Sequence, residues 1–241
     1  MEVGAGLGSL TRALAETGAF VLAIELDRAL APALEESVAA LDRVRIEVAD
    51  AMRVDLGRLL DHPGPWTMAA NLPYNVAVPV IMRILEEEPR VERLLVMVQR
   101  EVGERLAAKP GTTPFGALSL RVAYRAEARV LRKVSRTVFW PQPNVDSVLV
   151  SLIRRAPPVD IDEAALWPVV DTAFEQRRKT MRGAMMRLGL GADEAAASLS
   201  ACRVDPKARP ERLGLPEFAC LARRRMEHQQ ATRPAGGVAK A

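Results

Sequence analysis

The sequence predicts an α/β protein, with a mostly parallel, doubly wound sheet followed by a small all-helical domain. Three observations carry this reading. Short apolar runs alternate with stretches of helical spacing over the first two-thirds of the chain. A glycine-rich turn, Gly4-Ala-Gly6-Leu-Gly8, stands where a first strand would meet a first helix. The segment Ala156-Pro-Pro-Val159 then breaks the alternation, and only helical patterns follow it.

Taken in order, residues 20–24, 44–48, 67–70 and 94–98 read as strands, rich in Val, Ile, Leu and Ala. Between them, residues 10–16, 30–41, 56–60 and 78–85 have the apolar spacing of helices. A helix-like stretch at 115–124 precedes two more strands, 127–133 and 145–153. Helices are then expected at 163–175, 178–188, 192–199 and 215–228. This divides the chain into a sheet domain at 1–157, a helical domain at 158–230 and a flexible tail at 231–241 composed mainly of Ala, Gly, Pro and Lys. Only Met1-Glu2-Val3 precede Gly4, whereas the strand feeding such a turn is central and about 5–6 residues long. The sequence therefore reads as N-terminally clipped.

With 49% hydrophobic and 27% charged residues in 241, the chain has ample material for a soluble core. No run approaches the roughly 18 apolar residues of a membrane span, and no basic-then-apolar leader opens the chain, so a cytoplasmic protein is expected. Two cysteines, Cys202 and Cys220, are too few for a disulfide framework and lack zinc-ligand spacing. Two histidines, His62 and His228, leave no multi-residue metal site to expect. Secreted, membrane-spanning, zinc-finger and metalloprotease classes fall away.

The net charge of +4 is unevenly spread. Residues 1–95 hold nine basic against 15 acidic residues, and the remainder holds 25 basic against 15 acidic. A local peak contains Arg121, Arg125, Arg129, Arg132, Lys133, Arg136, Arg154 and Arg155 against Glu127 and Asp146. A polyanion-binding surface and a merely solvated charged face both fit that peak.

The chemistry lies in three motifs, each at the end of a predicted strand. In Glu2-Val-Gly4-Ala-Gly6-Leu-Gly8 the glycines allow a tight turn and close approach of a ligand to main-chain N–H groups at a helix start. The spacing is G-x-G-x-G, with Ser9 where a dinucleotide fingerprint would place its third glycine. That favours S-adenosylmethionine over a dinucleotide. Glu25, ending the second strand, can accept from both hydroxyls of a cofactor ribose. Asp50, ending the third, suits an adenine amino group or a simple turn cap. The third motif, Asn71-Leu-Pro-Tyr74, follows the fourth strand and answers one chemical problem, the methylation of an exocyclic amine. The lone pair of such an amine is delocalised into the purine. Acceptors at Asn71 Oδ1 and the Pro73 carbonyl would bind its two hydrogens, and Tyr74 would stack on the extruded base.

With these motifs and several later segments, the sequence closely resembles the bacterial small-subunit rRNA adenine N6-dimethyltransferases. The later segments are Val98-Gln-Arg-Glu-Val-Gly-Glu-Arg105, Phe115-Gly-Ala-Leu-Ser119, Phe139-Trp-Pro-Gln-Pro-Asn-Val-Asp-Ser147, Phe174-Glu-Gln-Arg-Arg-Lys-Thr-Met181 and Arg209-Pro-Glu-Arg-Leu213. The resemblance runs from Glu2 to about Leu221. It implies a class I S-adenosylmethionine-dependent methyltransferase sheet, Rossmann-like, with a small helical C-terminal domain. It also implies dimethylation of two adjacent adenosines near the 3′ end of small-subunit rRNA, within a pre-ribosomal subunit, by an enzyme expected to be monomeric.

Carried over by position, Glu2, Gly4, Gly6, Gly8, Glu25, Asp50, Ala51 and Asn71 would contact the cofactor, and Asn71, Pro73 and Tyr74 would handle the base. Phe139 is a second stacking surface or a core aromatic. Arg177, Arg178 and Lys179 would face RNA phosphates, or form a solvated helix face. The family has an N-terminal segment with a Gly-Gln-x-Phe-type motif that has no counterpart here, and usually Pro where Ala5 stands. Three alternatives remain: an inactive RNA-binding assembly factor, the related large-subunit rRNA methyltransferase of macrolide resistance, and a nicotinamide dehydrogenase. The intact Asn71 motif argues against the first and third, and the later segments against the second.

Overall fold

The apolar runs become seven strands in the computed structural model, which describes residues 1–232. By contact, the chain forms two units: Met1–Ala107 with Arg125–Arg155, and Ala108–Tyr124 with the chain from Ala156 onward.

In the first unit, β1 (Glu2–Val3), β2 (Val21–Glu25) and β3 (Val44–Val48) pair in parallel, with Glu2 opposite Ala23 and Val21 opposite Val44. All five residues of β2 are buried, as expected for a central parallel strand covered by helices. β4 (Trp66–Asn71) and β5 (Val91–Gln99) are also parallel. The two sets meet at Met1, whose amino group donates to the Thr67 carbonyl at 2.8 Å and whose carbonyl accepts from Ala69 N–H at 3.0 Å. The strand order is therefore β3-β2-β1-β4-β5, continued by β7 (Ser147–Arg154) and then β6 (Ala126–Val134). The last two strands are antiparallel to their neighbours. Pairing is parallel through the first five strands and antiparallel on either side of β7, the one described strand that runs opposite to the others. The physical reason is that the β6–β7 connection, residues 135–146, holds one 3-10 turn (Arg136–Val138) and no crossover helix, so the two strands pair as a hairpin.

Five helices join these strands: α1 (Ser9–Ala15), α2 (Ala31–Val38), α3 (Leu56–Leu59), α4 (Ala77–Glu87) and α5 (Arg100–Leu106). The apolar stripe Ala77, Val80, Ile81, Ile84 and Leu85 buries one face of α4. Its last carbonyls are satisfied by Arg154 from the end of β7. That side chain donates to the carbonyls of Ile84, Leu85 and Glu88 at 3.0, 2.8 and 2.9 Å, and to Val91 at 3.1 Å. Burial lowers its pKa from the ordinary guanidinium value.

The second unit is helical: α6 (Ala117–Arg125), α7 (Glu163–Glu175), α8 (Met181–Arg187), α9 (Ala192–Ala201) and α10 (Leu215–Thr232). Its core joins Leu166, Val169 and Val170 of α7 with Met185, Leu199 and Phe218. Phe115, Leu120 and Tyr124 belong to this same core. The sequence-based division put residues 108–124 with the sheet, but their buried side chains place them with the helices. Arg121 is tied into this unit by its Nη2, which donates to both carboxylate oxygens of Asp171 at 2.8 and 3.0 Å, and by its place over the Trp167 ring at 4.7 Å. Cys202 and Cys220 are joined by a disulfide closing an 18-residue span, a pairing not anticipated from their number and spacing alone. α10 extends to Thr232, so the first two residues of the expected tail are helical, and 233–241 lie outside the described residues.

Candidate active site

Gly4, Gly6 and Gly8 all have positive φ, at 77°, 57° and 84°, which turns the chain from β1 into α1. Two of them are required by space as well. A Cβ on Gly4 would lie 3.2 Å from Cδ of Pro73, and one on Gly8 would lie 2.3 Å from Oγ of Ser37 and 2.9 Å from Leu34. Gly8 thus lets α1 close on α2, while Gly4 lets the first turn lie against the Asn71 segment. Around Gly6 a Cβ would meet nothing within 4 Å, so the crest of the turn is open.

Two carboxylates hold this region, one from β2 bonded to the turn itself and one from β1 bonded to the helix that follows it. Glu25 ends β2, and its Oε2 accepts from Gly6 N–H at 2.7 Å while Oε1 accepts from Asp27 N–H at 2.9 Å. Each oxygen keeps a further lone pair, so the group braces the turn and can still accept from two hydroxyls. Glu2 is different. It is only 2% exposed, and its Oε2 accepts from the Thr11 hydroxyl at 2.6 Å, in α1. Expected as a cofactor contact, it lies beneath the turn and pins α1 to β1. Burial pushes its pKa up to about 7, against the lowering effect of the Thr11 bond.

Asp50 follows β3 and caps its own turn: Oδ1 accepts from Met52 N–H at 2.8 Å, and Oδ2 stands 3.5 Å from Arg53. The turn is held from α4 by Arg83, which donates to the carbonyls of Ala51 and Val54 at 2.6 and 2.8 Å. Nothing in the spacing of Arg83 within its helix marked it for this part.

Asn71 is the last residue of β4 and is exposed. After it, the Pro73 carbonyl accepts from Val76 N–H at 3.1 Å and keeps its second lone pair. The Tyr74 hydroxyl stands 2.7 Å from Oγ of Ser147, a fully buried residue that opens β7. This bond spans 73 positions and fixes the far end of the tyrosine ring. Ser147 ends the Phe139–Ser147 segment, and spacing alone does not reveal its partner. Asn71, Leu72, Pro73 and Tyr74 line a cavity of about 240 Å³ together with Phe139, Pro141 and Pro143. Phe139 is thus half-buried on this cavity and is not a core aromatic.

The basic peak is partly consumed by the fold. Arg121 and Arg154 make the internal bonds described above, and Arg129 lies 2.5 Å from Glu127. Arg132, Lys133 and Arg136 are exposed around the end of β6. Arg177, Arg178 and Lys179 are exposed in the turn between α7 and α8. The expected helix from 178 starts only at Met181, because the Thr180 side chain caps it by accepting from Gly183 N–H at 3.5 Å. The three cations therefore sit on a turn and not on a helix face.

Residues 1–219 match the family model described as ribosomal RNA adenine dimethylase. The chain belongs to that family. It is an rRNA adenine dimethyltransferase, and the methyl donor of this class is S-adenosylmethionine. Among its relatives is "Ribosomal RNA small subunit methyltransferase A" of Thermobifida fusca, 48% identical over 231 residues, which are 93% of this chain and 79% of that protein. The protein of the same name from Moorella thermoacetica is 42% identical, with 92% and 81% covered. Among solved structures, a dimethyladenosine transferase from Plasmodium falciparum superposes with a TM-score of 0.74 over 91% of this chain and 86% of that one, at 20% identity. A 23S rRNA methyltransferase superposes at 0.68, with 26% identity, over 92% and 88%. Both confirm the class I methyltransferase fold.

The turn fits the donor this family uses. Its crest is open at Gly6, and the two oxygens of Glu25 retain the acceptor capacity that ribose hydroxyls require. No helix among the described residues is long and apolar enough to cross a membrane, and no cluster of three metal-ligating side chains occurs among them.

Proposed function

We propose that this enzyme dimethylates the N6 amines of two adjacent adenosines near the 3′ end of small-subunit rRNA, acting in the cytoplasm as a monomer on a pre-ribosomal subunit. The observation that carries the site assignment is the cavity where Asn71, Pro73, Tyr74 and Phe139 meet, beside the glycine turn that Gly4 presses against Pro73. The small-subunit substrate is supported by the 48% identity to a protein named for it, against 26% for the large-subunit enzyme.

In this reading Gly4, Gly6, Glu25, Asp50, Ala51 and Asn71 hold the cofactor, and Gly8 and Glu2 shape the turn. Bound there, S-adenosylmethionine would supply an electrophilic methyl group for the N6 lone pair, with the sulfonium sulfur as the leaving group. Asn71 Oδ1 and the free lone pair of the Pro73 carbonyl accept the two N6 hydrogens, drawing the amine out of conjugation and aiming its lone pair. Tyr74, its hydroxyl held by Ser147, and Phe139 hold the base by its faces. The methylated amine is cationic and acidic, so its proton leaves to water and no side-chain base is required. For the second transfer the monomethyl amine rotates, which a pair of acceptors permits. Arg177, Arg178 and Lys179 contact RNA phosphates.

Asn71→Ala tests this assignment, because it removes one acceptor and leaves the Pro73 carbonyl and the basic surface in place. Single-turnover methyl transfer should fall by about 10²–10³ relative to the parent chain, as when one preorganised hydrogen-bonding group is lost. RNA affinity should change far less, since phosphates supply most of it. Full rate in the variant would remove Asn71 from this role.

A further inference from the structure

Beside the cavity, one large apolar side chain lies almost wholly in water. Trp140 is 97% exposed, more than any other large hydrophobic among the described residues, and its chain neighbours Phe139 and Pro141 both line the cavity. Nearby in the same connection between β6 and β7, Val138 is 67% exposed. An indole brings a large contact area with few rotatable bonds, and solvent leaves that area unused.

The segment that carries Trp140 is braced by its own bonds. Arg136 N–H donates to Asp146 Oδ1 at 3.1 Å, the Arg136 guanidinium donates to the Asn144 carbonyl at 3.1 Å, and Ser135 caps the 3-10 turn through Thr137 N–H at 3.3 Å. Its charge is one-sided. From residue 128 to residue 145 it carries Arg129, Arg132, Lys133 and Arg136 and no acidic side chain. Arg129 is engaged by Glu127, whereas Arg132, Lys133 and Arg136 are exposed. An exposed aromatic ring among exposed cations is the composition of a single-stranded nucleic-acid platform, with stacking on bases and charge on the backbone.

We propose that Trp140 stacks on a base next to the target adenosine, replacing the stacking partner that this neighbour loses when the target enters the cavity. The inference rests on the reading of the Asn71, Tyr74 and Phe139 cavity as the target-base site. Extruding a base costs unstacking energy, and a ring waiting at the mouth of the cavity returns part of it. The occupant is thus an unpaired rRNA nucleotide immediately 5′ or 3′ of the target.

The test uses the full chain and a synthetic hairpin RNA whose loop holds two adjacent adenosines, at one fixed salt concentration. Trp140→Ala and Trp140→Leu should each weaken binding by about 5- to 150-fold, the range for losing one base–aromatic stack, while Trp140→Phe keeps most of the affinity. Leu separates stacking from plain hydrophobic contact. All three variants should melt where the parent does, because the ring has no buried partner to lose. RNA should quench the exposed indole emission of the parent, and Trp140→Phe should lose that quenching.

Hairpins with an abasic residue 5′ or 3′ of the target then locate the partner. One of them should bind the parent weakly and show no further loss with Trp140→Ala. Equal affinity of parent and Trp140→Ala, or a loss that adds fully to that of both abasic hairpins, would overturn the proposal. So would a Trp140→Ala variant that loses only self-association at unchanged RNA affinity. Failure of the cavity reading has a separate signature: Asn71→Ala at full rate, with the Trp140 and abasic coupling still present.

Discussion

Two turns at the C-terminal ends of adjacent strands make up the proposed site, and they are built by opposite means. The turn after β1 is made of backbone: three glycines with positive φ, braced by the Glu25 carboxylate, while Glu2 ties the following helix to β1. The turn after β4 is made of side chains, with Asn71 and Pro73 exposed and Tyr74 held at its far end by Ser147. The first turn has little freedom to change shape, since it forms a cradle by fitting closely against Pro73, Ser37 and Leu34. The second presents functional groups that carry little of the fold. Damage to the first should therefore appear as lost stability and cofactor affinity, and damage to the second as lost rate in a folded protein.

The largest break in that contrast is expected from Gly8→Ala. A methyl at this position would meet Ser37 and Leu34 well inside contact distance, at a backbone angle disfavoured for alanine. Chemical denaturation should show a loss of about 2–4 kcal/mol, combining overpacking with strain. Asn71→Ala should leave the denaturation midpoint where it is, so equal destabilisation of the two variants would erase the distinction.

Glu25→Ala comes next. Losing two hydrogen bonds to a ribose, at about 0.5–1.5 kcal/mol each and more for a charged acceptor, implies roughly tenfold or greater weakening of S-adenosylmethionine binding in calorimetry. Unchanged affinity would confine Glu25 to its bonds with Gly6 and Asp27.

Ser147→Ala sharpens the other side. It should cost about 1 kcal/mol in methyl transfer, a severalfold slower rate, by freeing the ring of Tyr74. Tyr74→Phe should reproduce that loss, and the double variant should be no worse than either single one. Additive losses would mean that the two hydroxyls act separately.

The smallest effect at neutral pH belongs to Glu2. Its carboxyl keeps a proton in the folded state up to about pH 7, while the unfolded chain releases it near the ordinary value of 4.5. The folded state thus binds more protons across this window, and stability from this group declines as pH rises through it. Glu2→Gln, which cannot ionise, should flatten that part of the melting temperature against pH curve. A variant with the parent's slope would assign the decline to another group.

Tyr74 shows how far the sequence could be read and where reading stopped. Its place in Asn71-Leu-Pro-Tyr74 was enough to predict an aromatic face at the mouth of the site, because the motif is local and its residue types answer one chemical demand. That the ring is held by Ser147 was not legible, since the two residues are 73 positions apart and meet only through the register of β7 beside β5. The basic peak was legible only in part, for the same reason. Arg154 reads as a surface cation until β7 delivers it to the open carbonyls at the end of α4.

By itself, the sequence determined the class of protein, the order of most strands and helices, the two turns and the family, because each depends on neighbours within a few positions or on motifs in fixed succession. Tertiary structure alone decided which charges face water and which are spent inside, as with Arg121 on Asp171 and Trp167. It also decided that Glu2 lies under the turn, that residues 108–124 pack with the helices, and that Cys202 meets Cys220. These outcomes rest on long-range packing, where the loss of water from a buried group must be offset by a partner that local pattern does not name.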